Sequence, residues 1–509
     1  MALFHTPSRR PRLCLHIFPP CLLFLAGLSI YLLWFGMNSD LDNVHPLLTQ
    51  LIPAGHCACK YSTTFNCTSS LAAVATTSPQ EPPEQDGKKK TWSFQYPRDA
   101  SSIHLSPAQC QTSFPGLFTD IHRAVDFWSQ QATTTTTTTT TTHNNNNLTR
   151  STLDAIPLKP GMARARLHNG HLSILATSAA QEDHRRKILA ILSAMHRALP
   201  STEDLGPGDS MEFVFSVEDK VEDINSGNGG SGKQQLPVWV LARKASEEDV
   251  WLIPDFGFWS WENEKNMIGP YDDVVAGIEE DEREEKRRSR RSGEAVLIGD
   301  GQEEEEEGDW WAKKVPKLVW RGKLSFAPKL RRMLLEAARG NEWGDVKELV
   351  WSKKENFISM QDHCKYAFVA HVEGRAYSSS LKYRQACRSV IIAHKLQYIQ
   401  HHHYLLQSSG AQQNFVEVER DFSDLQPKIE ALIADPEKAR SIADNSVRVF
   451  RERYLTKAAE ACYWRELWRG WGKVYSDDEG DEGVGRKGMR YESFVLLESE
   501  KMMRFEAQS

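Results

Sequence analysis

The rhythm of apolar and polar positions changes along the chain, and each change marks an element. Residues 183–199, DHRRKILAILSAMHRAL, carry apolar side chains at three- and four-residue spacing and predict an amphipathic helix. MEFVFSV (211–217) and PVWVLAR (237–243) read as strands. A second run begins near residue 313. KLVWRG (317–322) predicts a strand and turn, and KLRRMLLEAAR (329–339) a helix. YAFVAHV (366–372) and SVIIAH (389–394) predict strands on either side of a short basic helix, LKYRQAC. DLQPKIEALIAD (424–435) and PEKARSIADNSVRVFRERY (436–454) predict helices, the first capped by Ser423 or Asp424. Strands alternating with helices imply βαβ units and parallel sheets. The expected architecture is α/β, with two lobes at 161–275 and 313–475 and a cleft between them. Ligands then bind outside the carboxyl ends of the strands.

Other stretches break the rhythm. Residues 13–37 carry no Asp, Glu, Lys or Arg, follow Arg9, Arg10 and Arg12, and precede Asp40 and Asp42. That run is long enough to span a bilayer, which takes about 20 residues. Its flanking charge leaves residues 1–12 as a cytoplasmic tail and puts the body across the membrane. A cleaved signal peptide is the rival, and no clean cleavage site is visible. Residues 38–160 read as a Pro/Ser/Thr-rich stem with the tract QATTTTTTTTTTHNNNN, a composition that cannot offset ordering entropy. Residues 276–312 read as a charged, disordered insertion between the lobes, and residues 476–509 as a tail.

Composition narrows the function. A net charge of −6 over 509 residues argues against nucleic acid as a partner. The sequons at Asn66 and Asn147 agree with a lumenal body. Seven of the nine cysteines lie beyond the apolar run and can pair in an oxidising compartment. HCACKYSTTFNC (56–67) suggests a local disulfide knot. The run His401-His402-His403 looks like a metal site, but adjacent side chains on one element do not converge. The chain ends FEAQS, without a KDEL-type signal, so a Golgi membrane is expected rather than the ER.

The most informative stretch is EGRAYSSS (373–380), between a strand and a helix. Backbone N–H groups at such a junction favour an anion. Gly374 permits a tight turn and close approach. Arg375 offers a planar fork for phosphate, Ser378, Ser379 and Ser380 add hydroxyls, and Lys382 adds charge one turn in. The features suit a diphosphate, although a simple Ser N-cap on a strand–helix turn is the plainer reading of them taken alone, since this is not a Walker or Rossmann glycine pattern.

CKYAFVAHVEGRAYSSSLKYRQACRSVIIAH closely resembles the signature of glycosyltransferase family 90, the fungal capsule-associated family related to animal protein O-glucosyltransferases. FVFSVEDK (213–220), WLIPDFGFWSWENE (251–264), KLVWRGKLSFAPKLRR (317–332) and NFVEVERDFSDL (414–425) resemble further segments in the family's order. The resemblance implies a GT-B-like fold of two Rossmann-like lobes behind the membrane helix and stem. It implies inverting, metal-independent transfer of glucose or xylose from a UDP-sugar to a hydroxyl on protein or glycan, with no cofactor beyond that co-substrate. A non-catalytic glycan- or nucleotide-binding member is the alternative.

The resemblance also implies roles. Asp219 matches the position of the base, with Glu218 its local rival. Arg321, Gly322, Lys329 or Arg331, Gly374, Arg375, Ala376, Tyr377, Ser378, Ser379, Ser380 and Lys382 would hold the UDP-sugar. The family often has Arg where this chain has Ser380, and Lys323 stands where animal members have Ser. Phe258, Trp259 and Trp261 are candidates to stack on sugar or acceptor, the packing of a core being the plainer reading. Cysteines occur in the family at both Cys364 and Cys387, and a bridge between them is expected to pin the nucleotide loop. Cys110 with Cys462 is a second expected pair. No metal ligand is expected, since Asp40-Leu41-Asp42, against the membrane run, is the single Asp-x-Asp.

Overall fold

The amphipathic segments of the sequence bury their apolar faces against two separate sheets. The computed structural model describes residues 92–134, 148–199, 210–221, 235–260, 268–291, 310–350, 355–477 and 488–506. The apolar run 13–37, Asn66, Asn147, Trp261 and the cysteines at 57, 59 and 67 lie outside them. Among the described residues no helix is long and apolar enough to cross a membrane.

The first lobe opens with helices α1 (Pro107–Ser113) and α2 (Thr119–Thr134). Strands β1 (Met162–His168) and β2 (His171–Ser178) follow, then α3 (Glu182–Arg197), β3 (Ser210–Ser216), β4 (Val238–Val240), β5 (Arg243–Lys244), β6 (Trp251–Leu252) and α4 (Tyr271–Arg291). The second lobe contains β7 (Val315–Gly322), α5 (Pro328–Ala338), β8 (Gly344–Glu348), α6 (Met360–His363), β9 (Tyr366–His371), α7 (Ser380–Gln385), β10 (Val390–His394), β11 (Tyr398–Ile399), β12 (Val416–Val418), α8 (Leu425–Ala434) and α9 (Pro436–Val449). The chain then returns to the first lobe through α10 (Lys457–Gly472), β13 (Met489–Arg490) and α11 (Tyr491–Glu506).

The second-lobe sheet is wholly parallel, in the order β12-β10-β9-β7-β8. The first is mixed, in the order β13-β2-β1-β3-β4-β6. Strands β3, β4 and β6 run parallel, and β1 and β2 form an antiparallel hairpin beside them. Asn169 and Gly170 turn that hairpin, both with positive φ. The uniformly parallel expectation therefore holds for the second lobe and fails at the edge of the first.

Three segments expected to be unstructured are ordered. Residues 92–131 and 148–160 of the expected stem belong to the body, with Phe114, Leu117, Ile121, Trp128, Leu148 and Leu153 buried in the first-lobe core. The neighbouring Thr tract diluted their apolar periodicity. Residues 276–291 continue α4 instead of starting a loose insertion. Val274, Val275 and Ile278 bury one face of that helix. Glu282 pairs with Arg451 at 2.9 Å and Glu279 accepts from Tyr96, so its first charged residues have partners. In the expected tail, β13 pairs with β2 and α11 packs beside it.

Two disulfides tie the body, Cys364–Cys387 with Cα atoms 4.7 Å apart and Cys110–Cys462 at 5.6 Å. The second joins residues 352 apart in sequence and fastens α1 to the returning helix α10. Cross-links over long loops restrict the unfolded chain most. The Cys110→Ser/Cys462→Ser double variant is expected to lose about 2–4 kcal/mol, read as a lower urea midpoint. An unchanged midpoint would remove the bridge from the stability account.

Candidate active site

Strands β7, β9, β10 and β12 are parallel, so their carboxyl ends open onto one edge of the sheet, and the turn 373–379 follows the central strand β9. A buried carboxylate fixes the base of that turn. Glu373 Oε1 accepts from the backbone N–H of Gln397 and Tyr398, both at 2.8 Å, and Oε2 accepts from Arg420 at 2.8 Å. Its own N–H donates to His394 Nε2 at 3.1 Å. Gly374 is needed for close approach. A Cβ there would lie 3.3 Å from the Tyr377 carbonyl and 3.4 Å from Arg331 Nη2. Ser378 and Ser380 hydroxyls bond each other at 2.9 Å, and the side chain of Ser379 caps nothing. The plain N-cap is therefore absent.

Three cations surround one aromatic ring beside this turn. Lys323, Arg331 and Arg375 lie 5.4, 5.6 and 5.5 Å from the ring centre of Phe326, a residue 41% exposed. Arg331 donates to the carbonyls of Glu373 at 3.1 Å and Lys323 at 2.5 Å, and burial lowers its pKa to about 10. Among the described residues none of the three is paired with a carboxylate. Uncompensated positive charge at a strand-end opening is what a bound polyanion requires. Lys329, also expected here, is exposed at the start of α5. It lines an open groove of about 760 Å³ with Arg332, Asp421 and Gln426.

Two other expected cations are placed in structural pairs. Arg321 donates to both oxygens of Asp345 at 2.9 Å, and Tyr366 adds a third bond to that carboxylate at 2.7 Å. Burial alone would raise the Asp345 pKa, but these hydrogen bonds pull it down to about 2. Gly322 lets the Trp320 indole lie 2.5 Å from where a Cβ would be. Lys382 donates to both oxygens of Asp255, at 2.7 and 2.9 Å, and to the Ser379 carbonyl at 3.0 Å. All three N–H donors of Lys382 therefore have protein acceptors, and the residue ties α7 to the first lobe. The Tyr383 hydroxyl reinforces this seam, its one proton lying within reach of the carbonyls of Gly257 at 3.1 Å and Gly269 at 2.9 Å.

Asp219 follows β3 in the turn at its carboxyl end. Its rival Glu218 is engaged by His184 at 2.8 Å and crowds the space over Gly161. From the opposite lobe, Ala376 and Tyr377 insert into the first-lobe core. Burial raises the Tyr377 pKa strongly, and the charges of Asp255 and Asp219 raise it further. Asp219 thus lies within electrostatic reach of the turn. Phe258 is buried against Tyr271 and His401, which makes it core. Trp259 is on the surface, with Arg197 4.8 Å from its ring centre.

In the histidine run His401 and His402 are buried and His403 is half-buried, and among the described residues no His/Cys/Asp/Glu group could hold a metal. Burial lowers the pKa values of His401 and His403 to about 3. The unfolded chain, with His near 6.5, binds more protons below that pH, so stability falls as pH drops from about 6.5 toward 3. The slope is up to about 1.4 kcal/mol per pH unit for each histidine. Urea midpoints are expected to fall between pH 7 and pH 5, with a shallower fall in His403→Gln. The Asp345 contribution is lost only below about pH 4, outside the pH 7 to 5 range of that measurement.

Sequence reasoning missed Asp255, Glu373 and Phe326. Asp255 had a signal, a lone acid inside the apolar run LIPDFGF. Phe326 had none, because its importance comes from three cations on a loop, a helix and the turn after β9.

Residues 202–479, more than half of the chain, match the glycosyl transferase family 90 domain. This protein belongs to that family. The match takes in the turn after β9, Asp219 and the Phe326 cluster alike. The glycosyltransferase is also similar to an O-glucosyltransferase rumi homolog of Aedes aegypti, 26% identical over 174 residues. That alignment covers 32% of this chain and 43% of the mosquito protein, so the chain spans less than half of that relative's length.

Proposed function

We propose that this glycosyltransferase moves glucose or xylose from a UDP-sugar to a hydroxyl on a protein or glycan, with inversion and without a metal. In this reading the lobes form a GT-B-like pair, and the apolar run 13–37 anchors the body in the Golgi lumen as a single-pass type II protein. The observation that carries the reading is the cluster of Lys323, Arg331 and Arg375 on Phe326, beside a turn whose Tyr377 is within reach of the Asp219 charge. Asp219 takes the proton of the acceptor hydroxyl as its oxygen attacks C1 of the sugar. The bond from C1 to the β-phosphate oxygen breaks on the opposite face, which inverts the anomeric centre. The charge left on UDP is stabilised by the three cations, already in place before reaction. Metal independence is supported by this cation set and by the lack of an Asp-x-Asp outside residues 40–42. The name of the mosquito relative favours glucose.

A non-catalytic binding member is the second reading, favoured by Ser380, whose hydroxyl bonds Ser378 at a position where the family often has Arg. Thermal unfolding with UDP, UDP-glucose, UDP-xylose and GDP-mannose, with and without EDTA, tests the proposal. A UDP-specific rise in Tm that survives EDTA and is lost in Arg375→Ala is expected. A folded sample that responds to no nucleotide sinks it. Release of UDP from UDP-sugar then separates transferase from binder.

A further inference from the structure

Beyond the turn, a second arginine is buried without a counter-charge among the described residues. Arg384 on α7 is 3% exposed. Its Nη1 contacts His371 Nδ1 at 3.3 Å, and its Nε is enclosed with no hydrogen-bond partner. The charged and titratable groups around it are His371 at the end of β9, Arg331 on α5 and His363 on α6, with Arg321 beyond His363. Arg321 is neutralised by Asp345, and His371 and His363 are kept neutral by burial. Among the described residues no carboxylate acts on Arg384. Burial, with Arg331 adding to it, lowers its pKa to about 9, still above neutral pH.

A buried guanidinium without an anion is unfavourable, and removing an isolated buried charge relieves the folded state. Its position suggests what compensates it. Ser380 and Arg384 are one helical turn apart and share a face of α7. Ser380 begins that helix directly after the turn, and Arg331, the nearest other cation, is part of the Phe326 cluster. We propose that Arg384 is a further ligand of the diphosphate at this opening, and that the diphosphate is its missing counter-ion. This rests on the reading of the site as a UDP-sugar site. A guanidinium is suited to the task because its planar fork can bond phosphate oxygens while one edge remains on His371. The donor would then neutralise a charge that destabilises the empty protein, so binding and folding stability are coupled through one residue.

The test uses the full-length chain in detergent, titrated calorimetrically with UDP and with inorganic pyrophosphate, beside thermal unfolding without ligand. Arg384→Met is expected to melt at or above the wild-type temperature when empty and to bind UDP about tenfold or more weakly. Arg384→Lys, which keeps the charge but not the fork, is expected to fall between the two and serves if the Met variant does not fold. A purely structural arginine gives the opposite pattern, a lower melting temperature with unchanged UDP affinity, and that result overturns the proposal. If wild type responds to pyrophosphate but not UDP and Arg384→Met to neither, the anion site stands and the sugar-nucleotide reading falls. If both proteins bind UDP equally, the role of Arg384 falls and the reading stands. A wild type that binds neither probe overturns both.

Discussion

Asp219→Asn is expected to lower kcat by about 10²–10⁴, the usual contribution of a positioned general base, while UDP affinity stays within about twofold. Asparagine keeps the shape of the side chain and removes the proton acceptor. The effect should therefore appear in turnover and leave nucleotide binding, which the proposal assigns to the opposite lobe, intact. Glu218→Gln is the matched control. Its carboxylate is engaged by His184, so loss of that partner should change Tm slightly and kcat little. Turnover lost in Glu218→Gln but retained in Asp219→Asn would reverse the assignment. Turnover retained in both would remove carboxylate base catalysis from the proposal.

The largest expected stability effect is at the seam between the lobes. Lys382 and Asp255 are each 1% exposed and bonded at 2.7 Å. Deleting one member of a buried pair leaves the other charged, or forces its neutralisation, and costs about 3–5 kcal/mol. Lys382→Met is therefore expected to lower the unfolding free energy by that amount, measured by urea denaturation. Asp255→Asn combined with Lys382→Met should recover a substantial part, because no unpaired charge remains and Asn can still accept from the Gly257 N–H. A single-variant loss below about 1 kcal/mol, the range of an exposed pair, would mean that water reaches the seam.

The order of helices and strands was legible because each lies within one stretch of sequence. The helix predicted at 183–199 is observed at Glu182–Arg197, and the strand at 366–372 at Tyr366–His371. Both cysteine pairings were anticipated, that of Cys364 and Cys387 through the cysteines of related proteins. Chain context hid other elements. Charge density made residues 276–291 look unstructured, although Ile278 and its neighbours give the helix an apolar face. The Thr tract likewise obscured the buried positions of α2. The hairpin of β1 and β2 lies ahead of the first strand read from the sequence.

At the candidate site, sequence determined the residue types, the glycine turn and the family of the chain. Those are local properties: a strand end, a tight turn, and a set of cations in fixed order. Tertiary structure decided which cations remain available to a ligand. Arg321 and Lys382 resemble Arg331 and Arg375 as letters, yet the first pair faces Asp345 and Asp255 and the second faces Phe326. Those carboxylates stand 24 and 127 residues away in sequence. The charge a site offers to a ligand is what remains after such distant partners have been matched. That remainder depends on distances between side chains, which the order of residues does not contain.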